Sequence, residues 1–448
     1  MARRRLAQGD PVGAWAVLRD LAEAGPAGGD VPRFAFKLGR QLMKVGEVDH
    51  AKAAYGLAYE TGGAQVSGAA AAAFAAFNLG LLAEATEPPV AEAWYRRAMQ
   101  FENGGDAVAG SAASLGLMRY KAGDVERARA LFQQALDAAG DRTAMRIANA
   151  IGEALGRLGA VADAEPMMRY AIEAGHLDAR LSLARMLIAD GRLEQAEQLL
   201  REAVDGLGDM AALVALGDLL VQRVDPGADL AHLFTHANPA AFADGYAGHL
   251  PDRPEITEAE QCYREAVAAG ELTAPARLGH LLMGTGRAAE AETVLRQAVQ
   301  DGANDAEALL AALLHLRGDD EEAARVLEHA VAADNLRALV VMADLEGHHE
   351  DRHAQAADLL RRALRVGGAP LGAGGMLFVH LAFLEDLEGG AGVLQQMLAT
   401  NDQTGLAMLR SFMSDDDALA ESLRRACETG DDGSIRSFTA LTIRALRN

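Results

Sequence analysis

The chain has 448 residues, of which 50% are hydrophobic and only 5% aromatic, and it carries a formal net charge of −22. The alanine-rich composition favours close-packed helices over sheets, and the negative charge argues against a nucleic-acid partner, which needs clustered cations. No apolar run reaches the length of a membrane span, and the two cysteines lie in apolar helical patterns rather than in a disulfide framework. We therefore expect a cytoplasmic protein without membrane or nucleic-acid partners.

The first element in chain order is a partial repeat at residues 1–31, in which most of a first helix is missing. Asp10 precedes Pro11, an arrangement that places a capping side chain before the first turn of a helix. Three arginines stand near the start without an apolar segment behind them, so the start is not a signal peptide. We expect either a short N-terminal cap or the continuation of a longer chain.

Five later segments share one pattern, in which an alanine is followed by a large apolar residue four positions on and by a second alanine three positions after that. This spacing places all three residues on one face of a helix. The small residues let a neighbouring helix approach closely, and the large residue fills the space between layers. The five triads are Ala91/Tyr95/Ala98, Ala128/Phe132/Ala135, Ala196/Leu200/Ala203, Ala291/Leu295/Ala298 and Ala356/Leu360/Ala363.

A second pattern, seen in "ASLGLMRYKAG" and "ARLGHLLMGTG", precedes these helices and forms a narrow packing stripe. Glycines such as Gly123, Gly191 and Gly286 end these first helices as left-handed caps. Each unit is then a pair of antiparallel helices that cannot bury its faces alone, and stacking such pairs buries a continuous core. We predict an all-α fold, an α-solenoid of about twelve stacked antiparallel helix pairs in a right-handed superhelix.

The recurrence of these patterns divides the chain into five parts. The last part holds a degenerate repeat and a capping helix, on which Ile435, Phe438, Leu441 and Ala445 share one face. The predicted parts are an N-terminal cap at 1–31, repeats at 32–208, repeats with a degenerate unit (226–254) at 209–270, repeats at 271–402 and the C-terminal part at 403–448.

The degenerate unit is inferred from the intervals between equivalent residues of successive repeats. The last alanine of each second helix advances by a nearly constant interval, but the step from Ala203 to Ala266 is about twice as long. Two ordinary steps explain that interval, so we predict helices at 226–237 and 239–250, with 255–269 as the partner of the latter. The alternative is a looped-out insertion.

Two groups of histidines raise the question of a metal. His232, His236 and His249 lie in the degenerate unit, but no third ligand stands at a set spacing from the first two. Residues 349–353 match the HExxH motif of zinc metallopeptidases through His349, Glu350 and His353. That motif needs one unbroken helix, whereas the repeat register places these residues across a turn. Because phosphate-binding loops and nucleophile elbows are also absent, we expect no catalytic residue, no cofactor and no bound metal.

The helix pairs resemble tetratricopeptide repeats and, in places, their Sel1-like relatives. The segments "CYREAVAAGELTAPARLGHLLMGTGR" (262–287) and "AWYRRAMQFENGGDAVAGSAASLGLM" (93–118) are close to the Sel1-like pattern, and the likeness recurs along nearly the whole chain. The early aromatic of the first helix and the proline between repeats are mostly absent, which leaves the subfamily open. The resemblance implies a non-enzymatic scaffold or adaptor that binds a peptide or partner protein on a concave face. The alternatives are the sensor module of a larger signalling or transcriptional regulator and, more remotely, the zinc metallopeptidase.

In tetratricopeptide proteins the first helices line the concave face, and the resemblance carries that expectation to this chain. The residues opposite the packing stripes form a run of cations and amides in the N-terminal half, which would suit a partner with acidic side chains or a free C-terminus. The alternative is that Glu84, Glu153 and Asp178 on the same surface pair with these cations. The predicted partner-binding residues are Arg33, Phe36, Arg40, Lys44, Asn78, Lys121, Arg146, Asn149, Arg157 and Arg185.

Overall fold

A computed structural model describes residues 1–23, 31–62, 68–102, 104–225, 250–349, 351–366, 372–400, 402–412 and 416–446. The chain divides into two compact units, Met1–Leu199 and Leu200–Asn448. The described residues form 25 α-helices and no β-strand. The predicted all-helical architecture of adjacent helix pairs is confirmed.

The first unit begins with a short helix and continues with longer ones, the last of which runs on into the second unit. The helices are α1 (Ala2–Ala7), α2 (Pro11–Glu23), α3 (Val31–Lys44), α4 (Val48–Gly62), α5 (Ala69–Ala83), α6 (Pro88–Ala98), α7 (Asp106–Lys121), α8 (Val125–Ala138), α9 (Asp141–Arg157), α10 (Val161–Glu173), α11 (Ala179–Ala189) and α12 (Leu193–Leu207). Within this unit α3 packs on α4, α5 on α6, α7 on α8 and α9 on α10.

The second unit repeats this arrangement. Its helices are α13 (Met210–Val224), α14 (Pro254–Ala268), α15 (Ala274–Gly284), α16 (Ala288–Gln300), α17 (Asn304–Leu316), α18 (Asp320–Ala332), α19 (Leu336–Gly347), α20 (His353–Val366), α21 (Ala373–Phe383), α22 (Leu387–Thr400), α23 (Gln403–Phe412), α24 (Asp417–Thr429) and α25 (Asp432–Leu446). None of the described helices has the length and apolar character that a membrane crossing requires.

Within a pair, a glycine of the first helix receives a large side chain of the second. A Cβ atom added at Gly80 would lie 2.4 Å from Tyr95 Cε1, and one added at Gly116 would lie 2.5 Å from Phe132 Cε1. The glycine therefore makes room for the ring, which fills the space between the two helices. We call this arrangement the glycine notch. Tyr95 is fully buried. All five predicted triads are buried, as the pattern requires.

The turn after several of the first helices is set by a glycine with positive φ. Gly123, Gly191 and Gly286 have φ values of +83°, +77° and +78°, which confirms the predicted left-handed caps. At the turn of Gly123, the Asp124 amide donates a 2.9 Å hydrogen bond to the Arg119 carbonyl, which closes the end of α7.

Neighbouring pairs contact each other through their first helices. In the first unit α3 contacts α5, α5 contacts α7, α7 contacts α9 and α9 contacts α11. In the second unit α15 contacts α17, and α17 contacts α19. The first helices of successive repeats therefore form a continuous row in each of these stretches, which places the exposed residues of several repeats on one surface.

Ion pairs of one recurring form join successive repeats. Glu165 of α10 accepts hydrogen bonds of 2.7 Å from Arg169, one helical turn away, and from Arg192, which precedes α12. Glu260 of α14 is placed in the same way between Arg264 and Arg287. We call this arrangement the arginine ladder. The hydrogen bond from Arg192 is the main reason why the pKa of Glu165 is lowered.

The long step between repeats falls between the two helices of one pair. α13 packs directly against α14, and a Cβ atom at Gly217 would lie 2.5 Å from Tyr263 Cε1, as in the other pairs. The prediction that 255–269 pairs with a helix at 239–250 is therefore wrong. The interval between alanines is the same for an extra repeat and for an insertion of similar length, so it cannot distinguish them. The helices predicted at 226–237 and 239–250 lie outside the described residues up to 249.

The C-terminal helix buries a different face from the predicted one. Ile435 and Phe438 of α25 are buried, and the Phe438 ring stacks on Phe378 of α21 with centroids 5.3 Å apart. Leu441 and Ala445 are exposed instead. Their places in the buried face are taken by threonines, Thr439 and Thr442, whose hydroxyls donate to carbonyls of their own helix and so can be buried without unpaired polar groups.

Candidate binding surface

Four cations form a stripe along α3. Arg33, Arg40 and Lys44 are all exposed, as predicted, and Lys37, which the sequence analysis missed, lies among them. At 100° per residue the four side chains fall within about 60° of one another around the helix axis. We call these four residues the α3 stripe. Within the part of the chain that the structure describes, no ion pair neutralises them.

The α3 stripe borders a pocket against the N-terminal helix. The pocket has a volume of about 570 Å³. The Arg3 guanidinium of α1 lies over the Phe34 ring at 5.8 Å from its centroid, which fixes one wall. Cationic and apolar groups meet here, a combination that suits a peptide with an acidic residue beside an apolar one. The lining residues are Arg3, Leu6, Ala7, Arg33, Phe34, Lys37 and Gln41.

Phe36 does not lie on the open part of this surface. Its ring is half-buried and lies 5.9 Å from Tyr55 and 5.7 Å from Phe74, between α4 and α5. Phe36 therefore fixes α3 against the next repeat. It supports the surface rather than presenting a side chain to a partner.

The two predicted amides are engaged within the protein. Asn78 Nδ2 donates a 2.7 Å hydrogen bond to the Phe74 carbonyl one turn earlier in α5. Asn149 of α9 is buried, and its Nδ2 donates to Glu153 Oε1 at 3.1 Å. Asn149 Oδ1 is buried and has no hydrogen-bond partner among the described residues.

The remaining predicted cations are exposed on other first helices. Lys121 ends α7, Arg146 and Arg157 lie on α9, and Arg185 lies on α11. They continue the row of first helices from the α3 stripe. Two of the three acids on this surface have other partners: Glu84 accepts a 2.6 Å hydrogen bond from the Tyr95 hydroxyl, and Glu153 accepts the bond from Asn149.

The histidine motif at 349–353 is not one helix in its described part. α19 ends at Gly347, and α20 begins at His353, so His349 lies in the turn between them. The structure agrees here with the predicted turn, although Glu350 lies outside the described residues. His232, His236 and His249 lie outside them as well.

A different group of side chains has the chemistry of a metal site. His315 of α17 and Asp344 and His348 at the end of α19 bring their ligand atoms within 4.8 Å of one another. Burial raises the pKa of Asp344, while the two imidazoles act in the opposite direction. No local sequence motif reveals this group, because His315 comes from the preceding repeat.

The helix pairs, the glycine notches and the row of first helices define an α-helical repeat protein. Residues 176–206 match the tetratricopeptide repeat family, and pairs of the same construction flank this match on both sides. Residues 176–206 therefore form a tetratricopeptide-type repeat within a row of helix pairs. Proteins built from tetratricopeptide repeats are typically non-enzymatic interaction scaffolds. The Sel1-like resemblance of 93–118 and 262–287 stays a prediction.

Two solved structures illustrate the range of similar chains. Pseudomonas aeruginosa pilF is 18% identical over 54% of this chain and 97% of its own, with a TM-score of 0.36. A tetratricopeptide repeat protein from Parabacteroides merdae is 14% identical over 64% of this chain and 100% of its own, with a TM-score of 0.33. No curated protein matches the sequence.

Proposed function

We propose that the protein is a non-enzymatic scaffold that binds an acidic segment or a free C-terminus of a partner protein through the α3 stripe and the adjoining pocket. One observation carries the proposal. The chain has a net charge of −22, and many arginines elsewhere are engaged in ion pairs such as those of the arginine ladder. The α3 stripe gathers four cations on one helix face that the described residues leave without such pairs.

The chemistry of the stripe suits carboxylates. A guanidinium presents a planar fork that binds a carboxylate through two parallel hydrogen bonds, and such charge-assisted bonds are stronger than neutral ones. Arg33 and Arg40 supply two forks, and Lys37 and Lys44 add point charges between and beyond them. The exposed setting makes the attraction sensitive to salt, because the Debye length is about 10 Å at 0.1 M ionic strength.

The row of first helices extends the surface beyond α3. Lys121, Arg146 and Arg185 continue the exposed cations along these helices. In our proposal an extended partner segment follows this row, on the face that tetratricopeptide proteins make concave, with its acidic end at the α3 stripe. We place the protein in the cytoplasm, where Cys262 and Cys427 would stay as the free thiols that the structure shows.

The test is a titration of the full chain into a fluorescent ten-residue peptide of alternating glutamate and leucine with a free C-terminus. Fluorescence anisotropy gives the Kd for the native protein and for Arg33→Gln/Lys37→Gln. We expect the variant to bind at least ten times more weakly, and the native protein to weaken as salt is raised.

A matched control removes the same charge elsewhere. Arg325 and Arg365 are exposed on α18 and α20 of the second unit, and Arg325→Gln/Arg365→Gln should bind like the native protein. A peptide with glutamine in place of glutamate should bind weakly to all three proteins. Equal weakening by both double variants would show that net charge, and not the α3 stripe, governs binding.

A further inference from the structure

The last turns of α17 and α19 bring together three side chains from successive repeats. Asp344 and His348 are one helical turn apart, so they share a face at the end of α19. His315 stands on the neighbouring first helix, and its ring centroid lies 4.9 Å from that of His348. The ligand atoms of the three residues lie within 4.8 Å of one another. The packing of α17 on α19 therefore sets the spacing of the group.

In both imidazoles, Nδ1 is the nitrogen that forms a hydrogen bond within the protein. His348 Nδ1 lies 2.7 Å from the Asp344 carbonyl oxygen, which can only accept, so this nitrogen carries the proton. His315 Nδ1 lies 2.6 Å from Asp320 Oδ1 at the start of α18 and donates to that carboxylate. In both rings Nε2 is then the nitrogen with a free lone pair. A carboxylate behind a ligating histidine is the usual way in which proteins orient a metal-binding ring.

The surroundings of the His315 Nε2 atom point to a bound ligand. The side chain of His315 is only 13% exposed. Its Nε2 atom is buried and has no hydrogen-bond partner among the described residues. A buried polar atom without a partner is costly, and native proteins rarely keep one without a reason. Binding of a cation by this lone pair would remove that cost.

We propose that His315 Nε2, His348 Nε2 and the Asp344 carboxylate bind one Zn²⁺ ion, or a divalent ion of similar ligand preference, between two successive repeats. Two imidazoles and one carboxylate suit Zn²⁺ and its neighbours in the transition series, whereas Ca²⁺ and Mg²⁺ prefer an all-oxygen set. Ligands around tetrahedral Zn²⁺ lie roughly 3.3 Å apart. A fourth position is left for water or for a ligand from a partner.

The test is calorimetric titration of ZnCl₂ into the metal-free full chain. The native protein should bind one more equivalent than His315→Gln/His348→Gln. His349→Gln is the matched control, because His349 is exposed and adjacent in sequence to His348 but outside the group, and it should keep that equivalent. This comparison also allows for zinc bound by other histidines, since only the difference between variants is used.

A second variant tests the orienting carboxylate without removing a ligand. Asp320→Asn should keep the stoichiometry and weaken zinc binding about 10- to 100-fold, the usual effect of losing an outer-shell partner. Circular dichroism checks that every variant keeps its helices. The proposal is overturned if His315→Gln/His348→Gln, folded like the native protein, binds zinc with the same stoichiometry and affinity.

Discussion

The Tyr263 hydroxyl donates a 2.8 Å hydrogen bond to Asp218, although 45 residues separate them in sequence. Tyr95 and Glu84 form the equivalent bond at 2.6 Å across only 11 residues. In both cases the tyrosine of a second helix bonds to an acid that follows the glycine receiving its ring: Asp218 comes directly after Gly217, and Glu84 comes one helical turn after Gly80. The two helix pairs are therefore equivalent, and the residues between α13 and α14 interrupt a repeat without replacing either of its helices.

This equivalence predicts that most of the insertion can be removed. We propose to replace residues 229–246 by Gly-Ser-Gly. This change keeps Leu250, whose amide donates a 2.9 Å hydrogen bond to the Gly284 carbonyl. We expect the helix content to be unchanged and the midpoint of thermal unfolding to move by a few degrees at most. Circular dichroism measures both. Loss of a cooperative transition would show that the segment holds a repeat on which its neighbours depend.

The glycine notch predicts the effect of adding one methyl group. Gly116→Ala should destabilise the protein by about 1–3 kcal/mol, because the new Cβ would overlap the Phe132 ring and force it to move. Gly56→Ala is the matched control, since its Cβ would have no neighbour within 4 Å inside α4. That change should stabilise by up to about 1 kcal/mol through helix propensity. Urea unfolding midpoints compare the two, and Phe132→Leu should partly rescue Gly116→Ala.

Because His380 is buried, we expect the protein to lose stability in mild acid. Burial, followed by repulsion from His353 and His348, lowers the pKa of His380 from 6.5 to about 4. The unfolded chain therefore takes up this proton first as the pH falls. The stability is complete above pH 6.5 and declines until about pH 4, by roughly 3 kcal/mol in all.

The comparison that isolates this effect uses His380→Leu, which cannot take up the proton. Urea unfolding at several pH values should show the native protein losing more stability than the variant between pH 6.5 and 4. Parallel curves for the two proteins in that range would contradict the assignment to His380.

The arginine ladder predicts a modest coupling between repeats. A double-mutant cycle of Glu165→Gln and Arg192→Gln should give a coupling of about 0.5–1 kcal/mol, since both side chains keep partial contact with water. The pKa of Glu165 lies below 4.5, so the coupling is complete above that pH and is lost as the pH falls further. High salt should also reduce it. A coupling that is unchanged at high salt would contradict an electrostatic origin.

The sequence was sufficient to predict the features that depend on local periodicity. Ala128, Phe132 and Ala135 are buried together because spacing along one helix decides which side chains share a face. Gly123 adopts its positive φ because no other residue does so at little cost. On α3, the same periodicity located Arg33 and Arg40 on the exposed face.

The sequence was insufficient to predict the features that depend on which helices pack together. Nothing local distinguishes a helix at 255–269 that pairs with an immediate neighbour from one that pairs across an insertion. The group of His315, Asp344 and His348 forms only when two repeats stack, so a search for local motifs found His349 and His353 instead. Leu441 was expected to be buried because apolarity alone was considered, whereas threonines that bond their own helix fill the buried face of α25.

The insertion also has a consequence for the order in which the protein folds. Most helix pairs close through turns of a few residues, so their contacts are local and form fast. The pair of α13 and α14 must form across an intervening segment roughly ten times longer, and bringing together the ends of a chain of that length adds roughly 2 kcal/mol of entropy to the step. Folding should therefore start in the uninterrupted pairs on either side and reach this pair late. Pulse-labelling hydrogen exchange would then show α13 and α14 acquiring protection after α7 and α8.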